Sequence, residues 1–144
     1  MTSSSREPPS YDEVDPFDLP SWLGEGEVTW SADRGLATGH RVAGTLAAGT
    51  LAATGVDPLP CDLLAIDDAY PAPVASDAVR VRAHQVWRYG EVLLVADDDR
   101  LVLAVPGSRL DADLACAAIG RLARAVGAAP GSYGVHLRVG WDLR

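Results

Sequence analysis

Apolar residues recur at helical spacing in two segments of the chain, and this pattern predicts two helices. The first runs to about Tyr89 from a cap at Ser76 or Asp77, and Gly90 supplies its C-terminal stop. The second is predicted over 111–126, where an apolar stripe follows a capping signal and a glycine comes next. Both helices are therefore expected to be amphipathic, with one face turned toward a core.

Shorter segments alternate apolar and polar residues or are continuously apolar, which is the pattern of β-strands. Their order with the helices is β-β-β-α-β-β-α-β, which does not alternate as a doubly wound parallel fold does. The sequence therefore predicts an α+β fold, with a mainly antiparallel sheet of about five to six strands and both helices packed on one face. The predicted strands are 27–30, an extended segment over 40–46, 61–66, the hairpin pair 91–96 and 100–105, and 133–141.

A five-residue repeat interrupts this pattern. Residues 44–48 read Gly-Thr-Leu-Ala-Ala, and residues 49–53 repeat the same letters. A period of five suits no solenoid architecture. A lengthened hairpin or loop without a function of its own is expected here.

Residues 1–22 are predicted to be a disordered acidic tail, and residues 23–144 a single α+β domain, since 144 residues is the size of one domain. The first twenty residues hold four serines, four prolines and five acidic residues, too little apolar surface to offset the entropy of ordering. Phe17 and Trp22 nevertheless make part of the tail a possible docking segment. Three outcomes stay open: packing on the chain's own domain, a short linear motif for another protein, or disorder.

The net charge of -8 bears on the choice of partner. Residues 1–26 hold six acidic residues and one arginine, so most of the excess charge belongs to the tail. An acidic chain repels a phosphate backbone and an anionic bilayer, so neither nucleic acid nor a membrane is expected as a partner. The sequence shows neither a signal-peptide core nor an apolar run of spanning length, so a cytoplasmic location is expected.

No cofactor or metal signature stands out in the sequence. The three histidines lie in different predicted elements, and none has a partner at metal-ligand spacing. The acidic run 97–99 lacks the glycine and distal glutamate of a calcium loop and is expected to be a solvated hairpin tip. Cys61 and Cys116 each lie in an apolar run, where a core thiol is the expectation. No cofactor, metal site or catalytic residue is therefore predicted.

The segment between the third predicted strand and the first helix is the strongest candidate for binding. Two prolines stiffen residues 67–73, and carboxylates precede a tyrosine that has an apolar body and a polar tip. Arginines on the following helix could form an anion-recognising edge or pair with the nearby carboxylates. The candidate binding residues are Asp67, Asp68, Tyr70, Arg80, Arg82 and Arg88, together with Phe17 and Trp22 of the tail.

Three stretches resemble an uncharacterised family of small acidic actinobacterial proteins. They are Asp15 to Leu23, Cys61 to Val74 and Arg82 to Trp87. The resemblance implies a bacterial cytosolic setting and assigns no activity or site residue. The element order is also similar to the dimeric α+β fold of secretion chaperones, an analogy of fold only.

Two functions from different classes follow from these observations. The first is a non-catalytic protein-binding or adaptor module with chaperone-like character, which acts through its sheet face or the 67–73 loop. It is expected to be homodimeric, because helices on one face would leave apolar strands uncovered on the other. The alternative is a small enzyme or ligand sensor with a pocket near Cys61, His84 and Tyr70.

Overall fold

The structure, a computed structural model, describes residues 10–33, 39–40, 45–67, 75–107 and 112–136. Within these ranges the chain forms two α-helices and nine short strands, so the α+β class is confirmed. The strands are β1 Asp12–Glu13, β2 Val28–Ala32, β3 Gly39–His40, β4 Thr45–Ala47, β5 Gly49–Ala52, β6 Leu59–Ala65, β7 Leu93–Asp97, β8 Arg100–Val105 and β9 Tyr133–His136. The helices are α1 Asp77–Arg88 and α2 Ala112–Ala125, with 3₁₀ turns at Pro16–Asp18, Ser21–Gly24 and Pro130–Ser132.

The strands form one mixed sheet in the order β1-β7-β8-β6-β5-β2-β9, with β4 also paired to β6, and β3 to β4. Most neighbours are antiparallel, but β6 pairs with β8 and β2 pairs with β9 in parallel. The predicted count of five to six strands is too low, because strands of two to four residues are too short to show a periodicity. The repeat, predicted as a lengthened hairpin or loop, supplies two of them, β4 and β5.

The two helices lie on opposite faces of the sheet, so the prediction that both pack on one face is wrong. Successive residues of β6 belong to different core clusters: Leu63 packs on the α2 side and Leu64 on the α1 side. Because side chains alternate across a strand, central strands that are apolar throughout need cover on both faces. One helix covers each face.

This arrangement removes the reason given above for a dimer. The strands expected to leave one face uncovered bury both of their faces in the single chain, with Leu94 and Leu103 packed on the α2 side and Leu93 and Val102 on the α1 side. The large apolar side chains that are exposed in the described part of the chain are Phe17, Val81 and Tyr89. A homodimer stays a prediction, but an uncovered sheet face no longer supports it.

The segment after residue 10 lies against the domain. Tyr11 is buried on the α1 side, and the β1 pairing with β7 continues in a hydrogen bond from Val14 N to Leu94 O at 2.7 Å. Trp22 is half-buried on the α2 side. Phe17, however, is 92% exposed, so only one of the two aromatic residues proposed for docking packs on the domain.

An ion pair between a buried carboxylate and a partly exposed guanidinium lies at the centre of the sheet. Asp62 of β6 is 2% exposed, and it is the one buried charged residue in the described part of the chain. Arg100 of β8 holds both carboxylate oxygens, with Nε 2.9 Å from Oδ2 and Nη2 2.5 Å from Oδ1. Gly49 N donates a further hydrogen bond to Oδ1 at 3.2 Å. The partners satisfy a carboxylate whose burial alone would be costly, and the hydrogen bond to Asp62 raises the pKa of Arg100.

Trp30 of β2 reaches past β5 to β6. Its indole Nε1 donates to the carbonyl oxygen of Cys61 at 2.7 Å, and its side chain is fully buried. The ring lies against Gly49, where an added Cβ would be only 2.6 Å from Nε1. Glycine is therefore required at this position by close approach and not by its backbone angles.

We predict that Gly49→Ala lowers the free energy of unfolding by about 1–3 kcal/mol, because the methyl group would overlap a ring that cannot move within a packed core. The matched control is Gly120→Ala in α2, where an added Cβ meets nothing within 4 Å. Relief of the glycine penalty in a helix should raise stability there by up to about 1 kcal/mol. Guanidinium denaturation measures both; equal midpoints for Gly49→Ala and the parent protein would contradict this packing.

Candidate functional site

An open groove of about 480 Å³ runs along the outer surface of α1. The residues Asp77, Val81, His84 and Arg88 recur at i, i+4, i+7 and i+11 and so fall on one stripe of the helix. Arg80 and Gln85 flank this stripe, and Asp67 lines the groove from the end of β6. The opposite side of α1 is buried, so the groove lies on the polar face of an amphipathic helix.

Strand β6 and helix α1 meet at a carboxylate–imidazole contact within the groove. Asp67 is the second residue after β6, and its Oδ2 lies 2.6 Å from Nε2 of His84. The Asp67 side chain is 33% exposed and that of His84 53% exposed, so the pair is accessible to a ligand. The contact orients the ring and leaves Nδ1 as its second polar atom.

The two arginines of the groove are only weakly engaged. Arg80 Nη1 lies 3.3 Å from Asp77 Oδ1, but the Asp77 side chain is 94% exposed, and such a surface pair contributes little. Arg88 is exposed and has no ion-pair partner among the described residues. Both guanidinium groups are thus able to bind a carboxylate or phosphate.

Both ends of α1 are fixed. Ser76 caps the N-terminus, where its hydroxyl oxygen accepts a hydrogen bond from Val79 N at 3.4 Å. At the C-terminus Arg121 of α2 lies over the Trp87 ring, 3.5 Å from the centroid, and donates to the Trp87 carbonyl oxygen at 2.9 Å. Burial, with Arg124 close by, lowers the pKa of Arg121. A helix held at both ends presents its groove residues in one arrangement.

The structure brings together three of the predicted binding residues, Asp67, Arg80 and Arg88. Arg82 lies on α1 outside the groove, with its Nε 3.3 Å from Glu13 Oε2. Phe17 and Trp22 belong to the N-terminal segment and do not line the groove. Asp68 and Tyr70 lie outside the described residues.

Two of the residues proposed to line the pocket of the alternative function, Cys61 and His84, lie on different sides of the sheet, and the third, Tyr70, lies outside the described residues. Cys61 is fully buried in the core on the α2 side, whereas His84 is on the outer surface of α1 across the sheet. Burial, and next the charge of Asp62, raise the pKa of the Cys61 thiol far above its ordinary range. A nucleophile and base cannot be assembled from these two residues.

Sequence reasoning missed Val81 and Gln85 as groove residues. The signal was present, because Val81 falls at an outward position once Val79, Ala83 and Val86 face the core. Its side chain is 56% exposed and gives the groove one apolar contact.

The described residues contain neither a metal-binding cluster nor a membrane-spanning helix. No group of three or more metal-ligating side chains is placed to hold an ion. Within the same ranges no helix has the length and apolar content needed to cross a bilayer.

Comparison with protein-family models, with curated proteins and with solved structures found no match.

We predict that iodoacetamide at neutral pH modifies one of the two free thiols of the folded protein and leaves the other protected. Cys116, expected from its apolar run to be a core thiol, is instead exposed and should react, whereas Cys61 is buried and its thiolate is disfavoured. Intact-mass spectrometry should show a single adduct in the native protein and two adducts in guanidinium. Prompt modification of Cys61 in native buffer would contradict the buried position.

Proposed function

We propose that the protein is a non-catalytic binding module of the bacterial cytoplasm, and that the groove on α1 binds an extended, acidic segment of a protein partner. The observation that carries this proposal is the shape of the groove, which follows the exposed stripe of α1 from Asp77 to Arg88. At a rise of 1.5 Å per residue, this stripe is about 16 Å long. An extended chain of about five residues has the same length.

The groove side chains suit a peptide with two carboxylates. Arg80 and Arg88 are eight residues apart, or about 12 Å along the helix axis. In an extended peptide this distance separates residues about four positions apart. Val81 lies between them as an apolar contact, and the Gln85 amide can donate to and accept from a peptide backbone.

The open form of the groove favours a peptide over a small metabolite. Pockets for small molecules usually enclose most of the ligand surface, and an open groove does not. Arginine and an exposed apolar side chain are also typical of the residues that dominate protein interfaces.

One observation supports a second candidate, a sensor for a small anion. The Asp67–His84 pair, beside Arg80, could orient a single carboxylate or phosphate without a peptide. Inorganic phosphate and citrate are suitable probes, because a ligand that binds the folded state raises the melting temperature.

We predict that a fluorescent peptide with two glutamates four positions apart around a central leucine binds the protein, and that its glutamine analogue binds at least tenfold more weakly. Arg88→Gln should also weaken binding about tenfold, because a charge-assisted contact to a carboxylate is lost. Fluorescence anisotropy measures both affinities.

The matched control is Arg82→Gln, which removes the same charge from the same helix but outside the groove. It should leave the affinity within about twofold of the parent protein. No binding of the acidic peptide up to 1 mM, or equal losses for the two arginine variants, would contradict the proposal; stabilisation by phosphate alone would favour the sensor.

A further inference from the structure

The α1 groove carries a negative charge between its two positive ones. Arg80 and Arg88 are eight residues apart, and His84 lies halfway between them on the same helix. Asp67 reaches this midpoint from the end of β6, with its Oδ2 2.6 Å from Nε2 of His84. At a rise of 1.5 Å per residue, each arginine is about 6 Å along the helix axis from the Asp67–His84 contact. The charges therefore follow one another as positive, negative and positive.

The second aspartate of the groove lies outside this series. Asp77 begins α1, before Arg80, and its side chain is 94% exposed. Its Oδ1 is 3.3 Å from Arg80 Nη1, and a carboxylate in open water has a weak, screened field. A ligand that lies between Arg80 and Arg88 therefore meets the charge of Asp67 and not that of Asp77.

The negative charge of Asp67 is not neutralised by a neighbour. Neither arginine of the groove forms an ion pair with it among the described residues. Its contact is with the His84 imidazole, which in its neutral form donates one N–H and brings no countercharge. The Asp67 side chain is 33% exposed, so water screens it less than it screens Asp77 and still leaves it open to a ligand.

The spacing of the three charges matches the side chains of an extended peptide. Residues i, i+2 and i+4 of an extended chain point to one face, and each step of two residues covers about 6.6 Å. With carboxylates at i and i+4 opposite the two arginines, residue i+2 lies over Asp67 and Val81. This holds for either direction of the peptide, because the central position is the same in both.

A carboxylate at the central position of such a peptide meets a net repulsion. The flanking carboxylates offset the charges of Arg80 and Arg88, so Asp67 is the nearest uncompensated charge. One close pair of like charges near a protein surface costs about tenfold in affinity. An uncharged side chain at the same position avoids this loss and can contact Val81.

We propose that Asp67 determines the specificity of the α1 groove by rejecting a carboxylate at the centre of the bound segment. The inference rests on the proposed function, since it defines which acidic segments the same groove accepts. The partner segment carries two acidic side chains four positions apart, with a residue midway between them that is not acidic. A continuous acidic tract is rejected although it carries more negative charge, which is selection by an unfavourable contact.

Three fluorescent peptides that differ only at the central position test this inference. Each has glutamates two positions before and two positions after a central leucine, glutamine or glutamate. Glutamine and glutamate have nearly the same shape, so the ratio of their affinities measures the effect of charge alone. By fluorescence anisotropy at pH 8 and low salt, the glutamate peptide should bind the parent protein about tenfold more weakly than the glutamine peptide. Added salt should narrow this difference, because it screens the repulsion.

Asp67→Asn assigns the discrimination to one side chain. The variant keeps an oxygen that can accept a hydrogen bond from His84 and removes the charge, so the two affinities should come within about twofold of each other. Asp67→Ser removes the same charge with a smaller side chain and should give the same result. The control is Asp113→Asn, which removes an exposed carboxylate from α2 on the other side of the sheet and should keep the tenfold difference. Circular dichroism checks that each variant is folded.

The inference and the proposed function can fail separately. If the parent protein binds the leucine peptide but binds the glutamine and glutamate peptides equally, the inference is overturned and the peptide-binding function stands. The same holds if a folded Asp67 variant keeps the tenfold difference. If none of the three peptides binds up to 1 mM, both are overturned.

Discussion

The ion pair between the buried Asp62 and the partly exposed Arg100 is the constraint on which the rest of the fold depends. The Asp62 carboxylate is 2% exposed, so its burial is tolerated only because its oxygens accept hydrogen bonds. Removal of Arg100 would leave this buried charge without a countercharge. Arg100 reaches it from β8, and Gly49 N from β5. The pair thereby connects three strands and fixes the parallel alignment of β6 with β8 at its first residues, where Asp62 lies opposite Val102.

This alignment also sets the position of the groove. Between two parallel neighbours the chain must return along the sheet, and here it does so through α1 and β7. The same strand that holds Asp62 at its centre ends just before Asp67, which meets His84 of α1 at 2.6 Å. Core and groove are therefore positioned by one strand. The arginines of α2 add a second constraint, because they hold the last turn of α1.

Local patterns in the sequence predicted the helices and strands that are specified by residues close together in the chain. The α1 helix was predicted to run to about Tyr89 from a cap at Ser76 or Asp77, and in the structure Ser76 is the cap and the helix ends at Arg88. The β7–β8 hairpin was predicted in the same way and is confirmed. Its second strand begins at Arg100, as expected.

The pairing of distant segments could not be predicted, because strand neighbours depend on contacts far apart in sequence. Leu63 and Leu64 are both buried, so both faces of the sheet need cover, and one helix covers each face. A second subunit could have covered one face equally well, so the sequence did not distinguish the two arrangements. For the site, charge and sequence proximity identified Arg80, Arg88 and Asp67, but the contact of Asp67 with His84 required the fold. For Phe17, packing on its own domain, binding of a partner and disorder were all left open, and composition alone could not decide among them.

A double-mutant cycle on Asp62 and Arg100 tests the central claim most directly. The free energies of unfolding of Asp62→Ala, Arg100→Ala and the double variant would be measured by chemical denaturation. The account predicts that Arg100→Ala is costly, about 3–5 kcal/mol, because it leaves a buried carboxylate without its countercharge. The double variant should then be less destabilised than the sum of the singles by at least about 1 kcal/mol. Additive losses, or a small loss for Arg100→Ala, would contradict the claim that this pair organises the sheet.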